Sequence, residues 1–123
     1  MRILLIEDDM FFQKFYSLKL KEAGYEIETA IDGEQGLEKI RSYRPDLILL
    51  DLVMPKKDGF EVLEEKKQDT DIQAIPTLVF STLGQEADIE RAKNLGALDY
   101  INKSFFDFEN LRLKIENSLP TPS

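Results

Sequence analysis

Short apolar runs recur five times along the chain, at Ile3 to Ile6, Ile27 to Ala30, Leu47 to Leu50, Thr77 to Phe80 and Tyr100 to Ile101, and an amphipathic stretch follows each. The runs read as strands. In the first intervening stretch Phe11, Phe15 and Leu18, with Phe12 and Tyr16, recur at the spacing of a helix face whose simplest role is core packing, and Gly24 supplies a stop. Later helices are predicted over Glu34 to Tyr43, Phe60 to Lys67, Glu86 to Leu95 and Phe108 to Leu119, with Asp32 capping the second and Gly96 following the fourth. Parallel strands need crossover connections, so five strand-helix units in series imply an α/β domain: a mostly parallel sheet covered by helices on both faces. A length of 123 residues at 42% hydrophobic content suits one such domain. Residues 1–119 are expected to form it, and 120–123, within the Pro-rich "LPTPS", to be a tail or the start of a linker.

In a parallel α/β sheet all strands point their carboxyl ends at one edge, where such folds place their ligands. Here the first strand runs into Glu7-Asp8-Asp9, the third into Asp51, the fourth into Ser81-Thr82 and the fifth through Asn102 to Lys103. Asp51 is the most demanding of these. It sits between Leu47-Ile48-Leu49-Leu50 and Leu52-Val53-Met54, and a carboxylate in apolar surroundings is costly to desolvate without a charged or hydrogen-bonding partner. Adjacent strands lie about 4.8 Å apart, so if the first and third are neighbours, Asp8 and Asp51 can share a small cation. Magnesium suits such a set of hard oxygen ligands, with manganese as a possible substitute.

Each residue also has an ordinary structural reading. Asp8 or Asp9 can cap the first helix, Ser81-Thr82 can form a routine capping or turn pair, and Lys103 can be a solvated surface lysine. What favours chemistry is the conjunction of acids, a hydroxyl and a lysine at one edge of the sheet.

Other chemistries are excluded by composition. The chain has neither Cys nor His, which removes disulfides, thiolate chemistry, ordinary zinc sites and histidine-dependent triads. With 24 acidic against 16 basic residues and a net charge of -8, direct nucleic-acid contact is not expected. No apolar run approaches the length of about 20 residues needed to span a bilayer, and "MRILLIEDD" lacks signal-peptide features, so no membrane role and a cytoplasmic location are expected.

The ordered set, with "ILLIEDD", "LILLDLVMPKKDG", "TLVFST" and "GALDYINKSF", resembles the receiver domains of two-component response regulators over nearly the whole chain. The resemblance implies a doubly wound, flavodoxin-like five-stranded sheet in strand order 2-1-3-4-5, an order that the receiver-type regulators exemplify. It implies that Asp51 is the phosphoryl acceptor and that Glu7 and Asp8 hold magnesium, directly or through water, together with Asp51 and the Val53 backbone carbonyl. Ser81 corresponds to the phosphoryl-binding hydroxyl, Lys103 to the cation that pairs with the phosphoryl group, and Tyr100 to the aromatic switch residue coupled to Ser81. Pro55 and Gly59 are expected to shape the loop after the acceptor, and Asp9 to be a cap or bystander. The implied donor is the phosphohistidine of a sensor histidine kinase or phosphotransfer protein. The implied activity is that of a phosphoryl acceptor assisting its own phosphorylation and dephosphorylation rather than of an enzyme.

Crowding Asp51 against Glu7 and Asp8 is expected to raise its pKa unless magnesium and Lys103 supply positive charge. Three features set this chain apart from the pattern it resembles. Ser104 follows Lys103 where the family usually has a cis proline, and cis costs about 2.5 to 4 kcal/mol before a non-proline residue. Val53 and Leu83 are apolar at rim positions where polar groups could orient water, which predicts slow hydrolysis of an acyl phosphate. An exposed Phe11 or Phe12 could help dock a kinase. Output is expected at the face of the fourth helix, fifth strand and fifth helix, including Glu90, Lys93, Arg112 and Glu116, through an unknown downstream protein, a separate effector domain or a phosphorylation-dependent dimer. Two other classes share parts of this pattern. A flavodoxin-like binding module calls for phosphate-cradling loops where "EDDMFF" is acidic, and a small magnesium-dependent phosphohydrolase calls for a second acid and a substrate cap.

Overall fold

The computed structural model describes residues 1–82, 84–103 and 108–118. Its elements, in chain order, are β1 (Arg2–Ile6), α1 (Met10–Glu22), β2 (Glu26–Ala30), α2 (Gly33–Tyr43), β3 (Leu47–Leu50), α3 (Gly59–Gln68), β4 (Thr77–Ser81), α4 (Glu86–Asn94), β5 (Asp99–Asn102) and α5 (Phe108–Ser118). The strands form one parallel sheet in the order β2-β1-β3-β4-β5, as expected.

Alternation along the strands divides the core in two. Ile3, Leu5, Leu47, Leu49, Leu78, Phe80 and Ile101 pack with Tyr16 and Leu20 of α1 and Leu111 and Ile115 of α5. Leu4, Ile6, Ile48, Leu50 and Val79 face the other way, onto Leu37 and Ile40 of α2, Val62 and Leu63 of α3 and Ala92 of α4. Burial on both faces explains why β3 reads Leu-Ile-Leu-Leu with no polar position, all four side chains being 0% exposed. Each fully buried aliphatic side chain contributes roughly 1.5–3 kcal/mol of transfer free energy, so this central strand is the least displaceable part of the frame.

Helix starts follow local side-chain chemistry. Asp9 accepts hydrogen bonds from Phe11 N and Phe12 N at 2.9 and 3.3 Å, making it the cap of α1. Asp32 accepts from Gln35 N at 2.7 Å and caps α2, and Asp58 caps α3 through Glu61 N at 2.9 Å. Gly24 and Gly96 stand at φ 98° and 106°, the left-handed conformation in which glycine ends a helix without steric penalty.

Two sequence readings need correction. The α1 aromatic stripe is not all core: Phe11, Phe15 and Leu18 are 73%, 40% and 58% exposed. The inward side is Gln13, Tyr16 and Leu20, with Phe12 partly buried, because residues four apart share a side and neighbours lie about 100° round. In α5, Arg112 pairs with Glu109 and Glu116 and lies beside Lys19, Glu22 and Ala23 at the end of α1. Lys114 of α5, by contrast, forms an ion pair with Asp99 of β5, 2.6 Å from its Oδ2. Two residues of helix rotation separate Lys114 from Arg112 and Glu116, which turns the latter pair away from the expected output face. Leu83, Ser104 with the Lys103-Ser104 bond, Leu119 and the 120–123 tail lie outside the described residues.

Candidate functional site

The registers place the strand ends side by side. Ile6 of β1 pairs with Leu50 of β3, so Glu7 and Asp51 leave neighbouring strands together; Glu7 N donates to Ala30 O at 2.9 Å and Asp51 N to Ile6 O at 3.1 Å. Ser81 pairs with Asn102 at the ends of β4 and β5, and Lys103 comes next. Glu7, Asp8, Asp51, Val53 and Lys103 line one surface depression, together with Asp9, Phe12 and Thr82.

Within it, carboxylate oxygens of Glu7, Asp8 and Asp51 lie within 4.8 Å of one another, Glu7 and Asp51 buried and Asp8 exposed. The Lys103 ammonium forms an ion pair with Glu7 and stands 3.4 Å from Asp51 Oδ2. Lys103 is only 8% exposed, so its reading as a solvated surface lysine fails. Three convergent carboxylates against one ammonium leave negative charge uncompensated. The effect is seen on Glu7. Burial, reinforced by the Asp51 charge, pushes the Glu7 carboxyl up to about 7, against the lowering effect of Lys103 and the Asp9 N–H. A cluster of hard oxygens short of positive charge suits a divalent cation of the magnesium or manganese type.

Other predicted residues sit close to this mouth without all lining it. Ser81 is 0% exposed, behind the mouth, while its neighbour Thr82 is exposed and lines it. Neither caps α4, whose N-cap is Gln85. The Tyr100 hydroxyl is buried; burial, with Asp88 and Asp51 adding to it, raises its pKa. Val53 N approaches Asp51 Oδ1 at 3.4 Å, and the Val53 side chain is 54% exposed. The loop after Asp51 returns tightly, with Gly59 N donating to Leu52 O at 2.9 Å, and a Cβ on Gly59 would stand 2.5 Å from the Asp51 carbonyl oxygen. Pro55 lies in this loop, between β3 and α3.

Gln13 was missed in the sequence. Its buried amide donates to the carbonyls of Glu7 at 3.0 Å and Ala30 at 3.2 Å, tying α1 to the ends of β1 and β2. A polar residue on the inward side of α1 was the available signal, legible only with the helix phase known.

The family model for the response regulator receiver domain matches residues 3–116. The chain belongs to the receiver-domain family. Among curated proteins, the receiver is 39% identical over 114 residues to the DNA-binding dual master transcriptional regulator RpaA of Synechocystis sp., a match covering 93% of this chain and 47% of RpaA. It thus spans about half the length of that relative. Among solved structures it superposes on the chemotaxis protein CheY4 of Vibrio cholerae with a TM-score of 0.88 at 30% identity, covering 96% of this chain and 98% of CheY4. The Mn2+-bound response regulator Rcp1 gives 0.82 at 33% identity, over 99% and 96% of the two chains. Among the described residues no helix is long and apolar enough to cross a membrane.

Proposed function

We propose that this receiver takes a phosphoryl group onto Asp51 from the phosphohistidine of a sensor histidine kinase or phosphotransfer protein. The observation that carries the reading is the convergence of the Glu7, Asp8 and Asp51 carboxylates in one open mouth, with the Lys103 ammonium beside Glu7 and Asp51. A carboxylate oxygen of Asp51 forms the new O–P bond as the P–N bond breaks, and the departing imidazole nitrogen keeps that electron pair. Lys103 pairs with the charge on the phosphoryl oxygens, Ser81 donates its hydroxyl to them, and the protein's work is mainly positioning and screening.

The residues that would hold a divalent cation are Glu7, Asp8, Asp51 and the Val53 carbonyl. Magnesium fits this oxygen set, and the Mn2+-bound form of the similar regulator Rcp1 supports manganese as a substitute. Such a cation supplies the positive charge that three carboxylates and a phosphoryl group together require. The chain acts as a phosphoryl acceptor that promotes its own modification, not as an enzyme turning over a separate substrate.

Kinase docking fits the N-terminal half of α1, where Phe11 and Phe15 stand exposed and the Phe11 ring meets Phe12 of the acceptor mouth edge-on. Output fits the face of α4, β5 and α5, built on Glu90, Lys93, Asp99 and Lys114, with Tyr100 and Ser81 as its link to Asp51. A downstream protein, an effector domain or a second receiver would read that face, and the setting fits the cytoplasm. The test is intact mass after incubation with acetyl phosphate and magnesium, beside Asp51→Asn. One added phosphoryl group that is lost in the variant is expected; addition that persists in Asp51→Asn overturns the assignment.

A further inference from the structure

The Lys103 ammonium has neighbours other than the carboxylates. Its Nζ lies over two aromatic rings, 5.2 Å from the centroid of Phe12 and 5.4 Å from that of Phe80. A cation within about 6 Å of a ring face is attracted by its quadrupole, and more strongly where water is excluded. Phe80 is a core residue of β4 at 1% exposure, whereas Phe12 lines the mouth from the first turn of α1.

These rings are mutually braced. Phe12 stacks on Tyr16 with centroids 5.8 Å apart and planes 6° from parallel, and Tyr16 meets Phe80 edge-on at 4.7 Å. The Asp9 cap accepts from Phe12 N, which anchors the backbone beneath the ring. Packing alone asks only for an apolar side chain at position 12. An ammonium on a flexible four-carbon stem asks for more, because two carboxylates draw it from one side and nothing in their charge sets its distance from the mouth.

We propose that Phe12 is a positioning residue for Lys103: its ring face, with that of Phe80, holds the ammonium at the mouth, aimed at a phosphoryl group on Asp51. This role rests on Asp51 being the acceptor. Phe12 touches no reacting atom and acts through the lysine.

The test compares Phe12→Leu, which keeps an apolar side chain but removes the ring, with Phe12→Tyr, which keeps the face; Phe12→Met replaces the leucine variant if that chain does not fold. The first readout is the Lys103 ε-methylene proton resonance, which ring currents move upfield of the other lysines. It is expected to return toward the ordinary lysine position in Phe12→Leu and to stay in place in Phe12→Tyr. The second is phosphorylation by acetyl phosphate with magnesium in excess. The maximal rate is expected to fall about five- to thirtyfold in Phe12→Leu with the KM for acetyl phosphate unchanged, and to remain within about twofold in Phe12→Tyr. An unmoved Lys103 resonance, an undiminished rate in the leucine variant, or equal losses in both variants overturns the proposal. If the parent chain takes no phosphate, the acceptor reading has failed, and the resonance still decides whether Phe12 holds Lys103.

Discussion

Lys103 and Glu7 stand 96 positions apart in the chain and form a buried ion pair, their side chains 4% and 2% exposed. The same ammonium lies 3.4 Å from Asp51, so one cation serves two buried acids. Removing one partner of a buried pair leaves an uncompensated charge, at a cost of about 3–5 kcal/mol. Lys103→Met is therefore expected to lower unfolding stability by that order in metal-free buffer, and magnesium, supplying the missing charge, is expected to recover part of it. Urea denaturation with and without magnesium measures both.

Glu7 makes stability depend on pH. Its carboxyl is raised from 4.5 to about 7, chiefly by burial, so between those values the folded chain binds more protons than the unfolded one. Stability from this group is therefore present below about pH 4.5 and is lost as pH rises toward 7. The difference in urea midpoint between the parent and Glu7→Gln, followed across that window without metal, is expected to move in favour of Glu7→Gln as pH rises. A constant difference would refute the assignment.

Two glycines, at the starts of α2 and α3, pack against the segment from Asp51 to Lys57 too closely for a Cβ. At Gly33 it would stand 2.2 Å from the Lys57 carbonyl oxygen, and at Gly59 2.5 Å from that of Asp51 and 2.7 Å from Leu52 Cα. Backbone cannot move aside as a flexible side chain can, so Gly33→Ala and Gly59→Ala are each expected to cost about 1–3 kcal/mol. Gly59→Ala should also weaken magnesium binding more than Gly33→Ala does, because it presses on the acceptor residue itself. Calorimetric titration of the two folded variants checks this.

Phe11 and Phe15 stack on each other at 6.4 Å, both exposed. Replacing both with Ser is expected to change stability by no more than about 0.5 kcal/mol per site. Phosphorylation by acetyl phosphate should be unaffected, whereas transfer from a histidine kinase that phosphorylates the parent chain should fall at least roughly tenfold, the loss of one good apolar contact. Equal rates with the kinase would remove this surface from docking.

Val53 brings an exposed apolar side chain to the mouth, where a polar group could orient an attacking water. The phosphorylated chain is expected to hydrolyse slowly, and Val53→Asn to hydrolyse several-fold faster. Decay of the parent phosphoprotein within seconds in magnesium buffer would contradict this.

Sequence reading went furthest where a residue's role depends on its own strand or turn. Strand alternation, Asp32 as a cap and Gly24 and Gly96 as stops are local matters, and parallel topology then sends Glu7, Asp8, Asp51 and Lys103 to one edge. Failures came where phase mattered. Phe11 and Phe12 are adjacent and chemically identical, yet one points to water and the other to Lys103, and no local spacing among five apolar neighbours distinguishes them. Arg112 and Lys114 divide in the same way across α5. Gln13 escaped notice because its partners are carbonyls supplied by two separate strands.

The sequence alone determined the parallel α/β class and the set of charged groups at the sheet edge, because hydrophobic periodicity and parallel connection leave little else to choose, whereas the strand order 2-1-3-4-5 came from the resemblance to receiver domains. Tertiary structure decided how far Glu7 is desolvated and what surrounds the lysine. Desolvation of Glu7 depends on how deeply it lies under α1 and beside Asp51, and the aromatic wall behind Lys103 exists only once α1 and β4 pack together. Burial and distance belong to the assembled fold, since they are set by elements far apart in the chain.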